Sequence, residues 1–174
     1  MAIPNTELLA LARKMPIPVP WDRNVFVENV AQMRGKPITL VPADKTKISA
    51  LAALTDLDCP CGLWLLRDHD DIIVHEAGTT EYHIDQIVCH EIAHMQLGHR
   101  SSSRQLHADS HLASESFRDL LPGFDLGVIR AVLGRTSGND QERDAEMFAS
   151  MVMFAADEAG AQTSMLRSTF FRRS

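Results

Sequence analysis

The stretch Ile84–His99 of this chain, IDQIVCHEIAHMQLGH, contains the pattern His90-Glu91-x-x-His94. On an α-helix, residues four positions apart differ in direction by only about 40° and lie one turn above each other. The two imidazoles would therefore lie side by side, spaced to bind one Zn²⁺, with Glu91 flanking the same face. Neutral imidazoles suit this cation, and a carboxylate beside its open position can take a proton from water.

The residues around this motif are apolar on almost every side of the predicted helix. A helix that is apolar nearly all round should be buried. Buried polar groups without partners are costly, so two histidines and a glutamate on such a helix indicate a metal. The alternative is a pair of core histidines satisfied by hydrogen bonds. The apolar positions are Ile84, Ile87, Val88, Ile92, Ala93, Met95 and Leu97.

Length and composition predict one ordinary globular domain. The 174 residues suffice for a single core, and the hydrophobic share of 45% is typical of such domains. The net charge of −6 argues against a general nucleic-acid or membrane-surface binder, because such proteins concentrate Lys and Arg. We expect neither a secretory leader nor a membrane span, and three cysteines do not make a disulfide framework. The chain is therefore predicted to be cytoplasmic, with no membrane contact and no direct nucleic-acid binding.

The N-terminal part predicts two helices joined by an extended connector. Residues 1–20 hold a short helix over 5–14 and then a Pro-rich connector, in which three prolines exclude a helix. Asp22 is placed to cap a second helix, about 22–34, and Gly35 to end it.

Three short apolar runs predict a small sheet upstream of the motif. The run 37–42 is rich in branched residues, and 62–67 and 71–75 read as a hairpin with a short loop. A short helix around 48–54 lies between them. We expect an antiparallel sheet of these three strands, laid against a helix over 80–98.

Downstream of the motif the spacing of apolar residues predicts helices. One helix is expected over 124–133 and another over about 140–158, followed by a loosely held tail, 160–174. The predicted fold class is α+β, with a small antiparallel sheet packed on the HExxH helix and further C-terminal helices. All of it is assigned to one domain, 1–174.

A catalytic zinc of this kind takes three protein ligands and leaves one position open. His99 lies nine positions after His90, so on a continuing helix it would point to the opposite side. Glu142 is the better candidate, because it and Glu146 lie one turn apart beside small residues on the 140–158 helix. Glu146 would then accept a hydrogen bond from a ligating histidine. The alternative interpretation is two surface glutamates on an amphipathic helix.

Two further groups of residues could bind metal but have simpler interpretations. Cys59-Pro60-Cys61 looks like half of a zinc ribbon, yet no second Cys pair completes the site. The pattern favours a tight turn before a strand. His107, His111 and Glu115 are spaced as on one face of a helix, which more often is simply a solvated face than a second metal site.

The combination of a hairpin, an HExxH helix and E-x-[DE]-A-x-x-x-A on a later helix resembles the ImmA/IrrE family of bacterial metallopeptidases. The matching pieces are His90–His94 and Glu142–Ala149, and the similarity covers about residues 20–158. The resemblance implies a small zincin-like fold with zinc held by two His and a Glu. It also implies cleavage of a repressor or another regulatory protein, and association with helix-turn-helix regulators.

The function expected from the sequence is that of a zinc-dependent endopeptidase with a protein substrate. His90, His94 and Glu142 would hold Zn²⁺, and Glu91 would act as the general base. The alternative is a non-catalytic zinc-containing regulator that binds a helix-turn-helix partner and cleaves nothing. An intact ligand set is necessary for hydrolysis but does not by itself establish it.

Overall fold

The computed structural model describes residues 2–54, 61–99, 115, 118–119, 121–123, 129–133 and 140–170, without the side chains of 51–54, 129–133 and 166–170. Its helices with described bounds are α1 (Asn5–Ala12), α2 (Arg23–Arg34), α3 (Lys45–Leu54), α4 (Glu81–Leu97) and α5 (Asp140–Phe170). Its strands are β1 (Ile38–Ala43), β2 (Gly62–Arg67), β3 (Asp71–Glu76) and β4 (Ile129–Leu133). In this part of the chain, no helix is long and apolar enough to cross a membrane.

The strands form one sheet in the order β1-β3-β2-β4. The predicted hairpin is confirmed, since β2 and β3 pair antiparallel from Gly62 opposite His75 to Leu66 opposite Asp71. Successive residues of β2 point to opposite faces of the sheet, and Leu63, Trp64 and Leu65 are all buried. Both faces of this central strand are therefore covered. The architecture is α+β.

The prediction of a purely antiparallel sheet is wrong at β1. This strand runs parallel to β3, from Ile38 opposite Asp71 to Ala43 opposite Glu76. Parallel neighbours need a crossover connection of a dozen or more residues, and here α3 and β2 supply it. Because β2 turns back at once through the hairpin loop, β3 enters the sheet between β1 and β2. The sheet is mixed.

The prediction of a helix over 124–133 is also wrong for the part that is described. Residues Ile129–Leu133 form β4, which pairs antiparallel with the free edge of β2. Short apolar runs suit either a helix or a buried strand, and the branched residues Ile129 and Val132 favour a strand once a partner edge exists. Residues 124–128 lie outside the described part.

The predicted caps of α2 are confirmed, and α4 also has a side-chain cap. The Asp22 side chain accepts hydrogen bonds from the backbone N–H of Asn24 and Val25, at 2.8 and 3.1 Å, and Gly35 ends α2 with φ 66°. The Thr80 hydroxyl accepts from the His83 N–H at 3.2 Å at the start of α4. These side chains satisfy helix-end donors that would otherwise lack partners.

Helix α5 is longer than predicted. It begins at Asp140 as expected but continues to Phe170, through most of the segment 160–174 that the sequence assigned to a tail. Gly160 does not end it, because a glycine inside a helix costs only about 0.5–1 kcal/mol relative to alanine. Helix α1, in contrast, ends at Ala12 and is shorter than the predicted 5–14.

The core forms where α4 packs between the sheet and α5. Helix α4 contacts β2, β3 and α5, and ten of its 17 residues are buried. This burial was predicted from the apolar residues on almost every side of the helix. Phe148 of α5 and Phe26 of α2 are fully buried in the same core cluster. Burial of a side chain of this size contributes about 1.5–3 kcal/mol. The helix that carries His90 and His94 is therefore held on several sides.

Buried carboxylates tie α2 to this framework. Asp85 of α4 accepts hydrogen bonds from Trp21 Nε1 at 2.8 Å and from Arg23 Nη1 at 2.7 Å. Asp71 at the start of β3 is fully buried and accepts from Arg34 Nη1 at 2.7 Å. Charged groups away from water need such partners.

Gly62 sets how closely the hairpin approaches α4. A Cβ at this position would lie 2.5 Å from Ile87 Cγ2 and 3.0 Å from Glu91 Oε1. We therefore expect Gly62→Ala to lower the free energy of unfolding by about 1–3 kcal/mol, because α4 must move away from β2. Chemical denaturation measures the change.

Gly160→Ala is the matched control for this substitution. A Cβ at Gly160 meets nothing within 4 Å. The same added methyl group should therefore stabilise α5 by about 0.5–1 kcal/mol. A Gly62→Ala variant as stable as the wild type would contradict the close packing of β2 against α4.

Candidate metal centre

The first turn of α5 and the middle of α4 bring the predicted ligand residues together. The Nε2 atoms of His90 and His94 are 3.0 Å apart. Glu142 Oε2 lies 3.3 Å from His90 Nε2, and Glu142 Oε1 lies 3.5 Å from His94 Nε2. Two ligands on a tetrahedral ion with bonds of about 2.05 Å are separated by about 3.3 Å. The three side chains can therefore hold one metal ion with little movement.

The hydrogen bonding of Glu142 fits a metal. Within the described part of the chain, both of its carboxylate oxygens are buried and accept no hydrogen bond. Buried acceptors without a donor are costly, and few are tolerated in a protein. A cation between this carboxylate and the two imidazoles removes that cost. Two imidazole nitrogens and a carboxylate oxygen are also a donor set that borderline divalent cations favour.

The charges at the centre are mutually stabilising. Burial raises the pKa of Glu142, but His90 and His94 outweigh this effect and lower it to about 2. Burial likewise lowers the pKa of His90, but Glu142, together with Glu91 and Glu146, raises it above its ordinary value. The site thus holds an anionic carboxylate and attracts positive charge.

Glu91 lies beside the three converging residues without being one of them. It is 2% exposed, and within the described part of the chain its Oε2 atom has no hydrogen-bond partner. Burial raises its pKa, and the charge of Glu142 acts in the same direction, while His90 and His94 oppose both. A carboxylate with a raised pKa is a stronger base, which suits proton transfer near neutral pH.

A cavity of about 330 Å³ opens beside the centre, where the hairpin, α4 and α5 meet. Glu91 and His90 lie in its wall, and His90 is the more exposed of the two. The remaining lining residues are Cys61, Gly62, His83, Gln86, Ile87, Glu146, Ala149 and Ser150. A molecule in this cavity would contact Glu91 and His90, the one converging residue that lines it.

His99 has a role that the sequence did not reveal. As predicted, it is not among the converging ligand atoms, but its Nδ1 lies 3.1 Å from Nδ1 of His94, on the far side of that ring. If Nε2 of His94 binds a metal, its Nδ1–H donates to His99. Burial and the neighbouring His94 lower the pKa of His99 to about 4, so its ring is neutral and able to accept. Such partners fix the orientation of a ligating histidine.

The turn at Gly98 explains why helical geometry gave the wrong direction for His99. The helix ends at Leu97, and Gly98 adopts the left-handed conformation with φ 69°. The chain therefore reverses, and the His99 N–H donates to the carbonyl of His94 at 3.0 Å. A glycine followed by a histidine directly after an HExxH helix is the sequence pattern from which this contact could have been predicted.

Glu146 lies in the cavity wall, and Asp144 makes a contact for which the sequence gave no prediction. Glu146, expected to accept from a ligating histidine, is exposed and lines the cavity, while His99 is the buried partner of His94. Asp144 is buried and accepts from the backbone N–H of Ile3 at 2.7 Å. This bond ties the N-terminal segment to the turn of α5 that carries Glu142.

The structure does not test whether His107, His111 and Glu115 form a metal site. His107 and His111 lie outside the described residues, and Glu115 is exposed.

No family model, no curated protein and no solved structure matches this chain. Inferences about its function therefore rest on the geometry of the centre and on the motifs that resemble the ImmA/IrrE family.

Proposed function

We propose that this protein is a zinc-dependent endopeptidase with a zincin-like fold, similar to the ImmA/IrrE metallopeptidases. The observation that carries the proposal is the convergence of His90, His94 and Glu142 within 3.0–3.5 Å, next to a buried Glu91 in the wall of a cavity. Ligands alone suit a structural ion as well as a catalytic one. Glu91 is a buried base in the cavity wall, and its Oε2 has no hydrogen-bond partner among the described residues, which favours hydrolysis.

Zinc is the metal that we infer for this centre, because two of its donors, His90 and His94, lie on an HExxH helix. Two histidines and one glutamate are the three protein ligands of one class of catalytic zinc sites, in which a fourth position stays open. When bound, Zn²⁺ supplies Lewis acidity, which polarises a peptide carbonyl and lowers the pKa of water. His99 keeps His94 in the orientation that directs Nε2 toward the centre.

Glu91 would move the proton. As a carboxylate it accepts a proton from the attacking water, and as a carboxylic acid it returns that proton to the departing amine nitrogen. Its burial raises its pKa, which makes the carboxylate a stronger base and so supports acceptance of the proton from water.

The substrate is proposed to be a repressor or another regulatory protein, cut within an exposed segment. A cavity of about 330 Å³ is at the low end for ligand sites and has room for a short extended peptide. It has no room for a folded domain. The bond to be cleaved must therefore lie in a loop, a linker or a locally unfolded stretch.

The second candidate is a regulator that binds a helix-turn-helix partner without cleaving it. Exposed apolar side chains on α5 favour a protein contact of some kind, since Phe154 is 67% exposed and Met165 is 69% exposed. Both candidates use such a contact, so only an assay of bond cleavage separates them.

The proposal is tested with a mixture of synthetic peptides of diverse sequence. We expect zinc-loaded protein to produce new peptide termini, detected by mass spectrometry, at a restricted set of sequences. The chelator 1,10-phenanthroline should abolish the cleavage, and added zinc should restore it. A folded, zinc-loaded protein that cleaves no peptide, and also leaves a co-purified partner intact, would favour the regulator instead.

A further inference from the structure

We propose that Cys61, Glu76 and His83 form a second metal site, for a thiophilic divalent cation such as Zn²⁺, at the edge of the same cavity. One potential ligand atom from each residue lies within 4.8 Å of the other two. Cys61 and His83 also line the cavity beside the first centre. The two sites have no residue in common.

The three residues come from three different elements whose ends meet. Cys61 directly precedes β2, Glu76 ends β3, and His83 lies in the first turn of α4. The Glu76 N–H donates to the carbonyl of Cys61 at 2.9 Å, which fixes these two residues side by side. The His83 N–H donates to Thr80 Oγ1 at 3.2 Å. The backbone at the site is thus held by hydrogen bonds before any ion binds.

The distances allow coordination after small rotations of the side chains. A tetrahedral zinc ion separates a sulfur ligand from a nitrogen ligand by about 3.6 Å. All three side chains are half-buried, so they can move by the required ångström more easily than buried ones. Three protein ligands leave a fourth position for water or for a group in the cavity.

The chemistry of the donors selects the cation. Thiolate and imidazole ligands favour zinc and other soft or borderline metals, whereas magnesium and calcium favour oxygen ligands. A glutamate beside a histidine alone would be explained as an ion pair. A thiol adds little to an ion pair, because it is a weak hydrogen-bond donor and acceptor. Its convergence with the other two groups is what a metal site requires.

This site also gives a use to Cys61, the last residue of the pattern that the sequence assigned to a turn; Cys59 and Pro60 lie outside the described residues. Cys61 stands before β2, as that prediction requires, and its thiol lies near a carboxylate and an imidazole that are distant in sequence. No second Cys pair is needed. An ion here would link the end of the hairpin to the first turn of α4 and occupy one edge of the cavity.

Cobalt tests the site independently of any peptidase activity. Metal-free, reduced, full-length protein is titrated with Co²⁺, and the near-ultraviolet spectrum is recorded. The His90–His94–Glu142 set has no sulfur, so only a cysteine ligand produces a thiolate-to-cobalt charge-transfer band. We expect such a band, with the molar absorption that one thiolate ligand per chain produces.

Variants identify the ligands. Cys61→Ser should abolish the band, and Glu76→Gln and His83→Ala should each weaken Co²⁺ binding by ~10-fold or more. Cys89→Ala is the matched control and should keep the band, because Cys89 is buried in the core and burial raises its thiol pKa. His94→Ala should also keep it. Circular dichroism verifies that each variant is folded.

Besides the absence of any band, two results would overturn the site. One is a band that survives Cys61→Ser in a folded protein, and the other is a band that disappears with Cys59→Ser alone. The outcomes for the two centres are distinguishable. A charge-transfer band without peptide cleavage would contradict only the proposed function, whereas cleavage without the band would contradict only the second site.

Discussion

Glu91→Gln is expected to lower the rate of peptide cleavage by about 10²–10⁴-fold while leaving zinc binding intact. Glutamine keeps the shape of the side chain but cannot accept a proton. Glu91 lies in the cavity wall and is not one of the three converging ligand residues, so the metal should remain. Cleavage of a responsive library peptide and elemental analysis of the same preparation measure the two quantities.

Glu158→Gln is the matched control, because Glu158 is exposed on α5 and outside the cavity lining. The same chemical change there should leave the rate within a factor of about two, since surface substitutions rarely act at a distance. A Glu91→Gln variant with wild-type activity would exclude a general-base role for Glu91. Another residue would then have to act as the base.

The thermal stability of the metal-free Glu91→Gln variant, compared with that of the wild type, tests the raised pKa of Glu91. Burial raises the pKa of Glu91 above its ordinary value of 4.5, so above that pH the folded state binds more protons than the unfolded state. The wild type then loses stability as pH rises from 4.5 through the folded-state pKa. Glutamine has no such loss. The variant should therefore gain in Tm over wild type at pH 8 but not at pH 4, and an equal difference at both values would contradict the raised pKa.

Loss of a ligand is expected to have the other large effect. In a Cys61→Ser background, which excludes the thiol, we expect one zinc per chain. We expect His94→Ala and Glu142→Ala to lose most of it. Zinc at 100 times its Kd stabilises a folded protein by about 2.7 kcal/mol, or about 5–10 °C in Tm at this chain length. That shift should disappear in both variants, and calorimetry with and without zinc measures it.

His99→Ala should give an intermediate result, with zinc affinity 10–100-fold lower, because the partner of His94 is removed and the ligand is kept. His69→Ala is the control, since His69 is exposed in the hairpin loop and should bind zinc like the parent protein. Full zinc binding by Glu142→Ala would show that the third ligand is another residue.

Features set by neighbours in the chain were predictable from the sequence. The spacing of His90 and His94 fixes their relation on any helix, and the caps at Asp22, Gly35 and Thr80 mark helix ends by local hydrogen bonds or backbone conformation. The hairpin follows from two apolar runs and a short loop. Glu142 could be proposed as a third ligand because the HExxH pattern requires one.

The tertiary structure alone decided which distant segments meet. The order that places β3 between β1 and β2, and the pairing of β4 with β2, depend on which sheet edges are free, and no local pattern records this.

The left-handed turn at Gly98 brings His99 under His94, although a continuing helix would have separated them. Likewise, Cys61, Glu76 and His83 converge because the hairpin ends where α4 begins. Spacing along the chain predicts contacts only within one element, whereas contacts between elements depend on how their apolar faces are buried together.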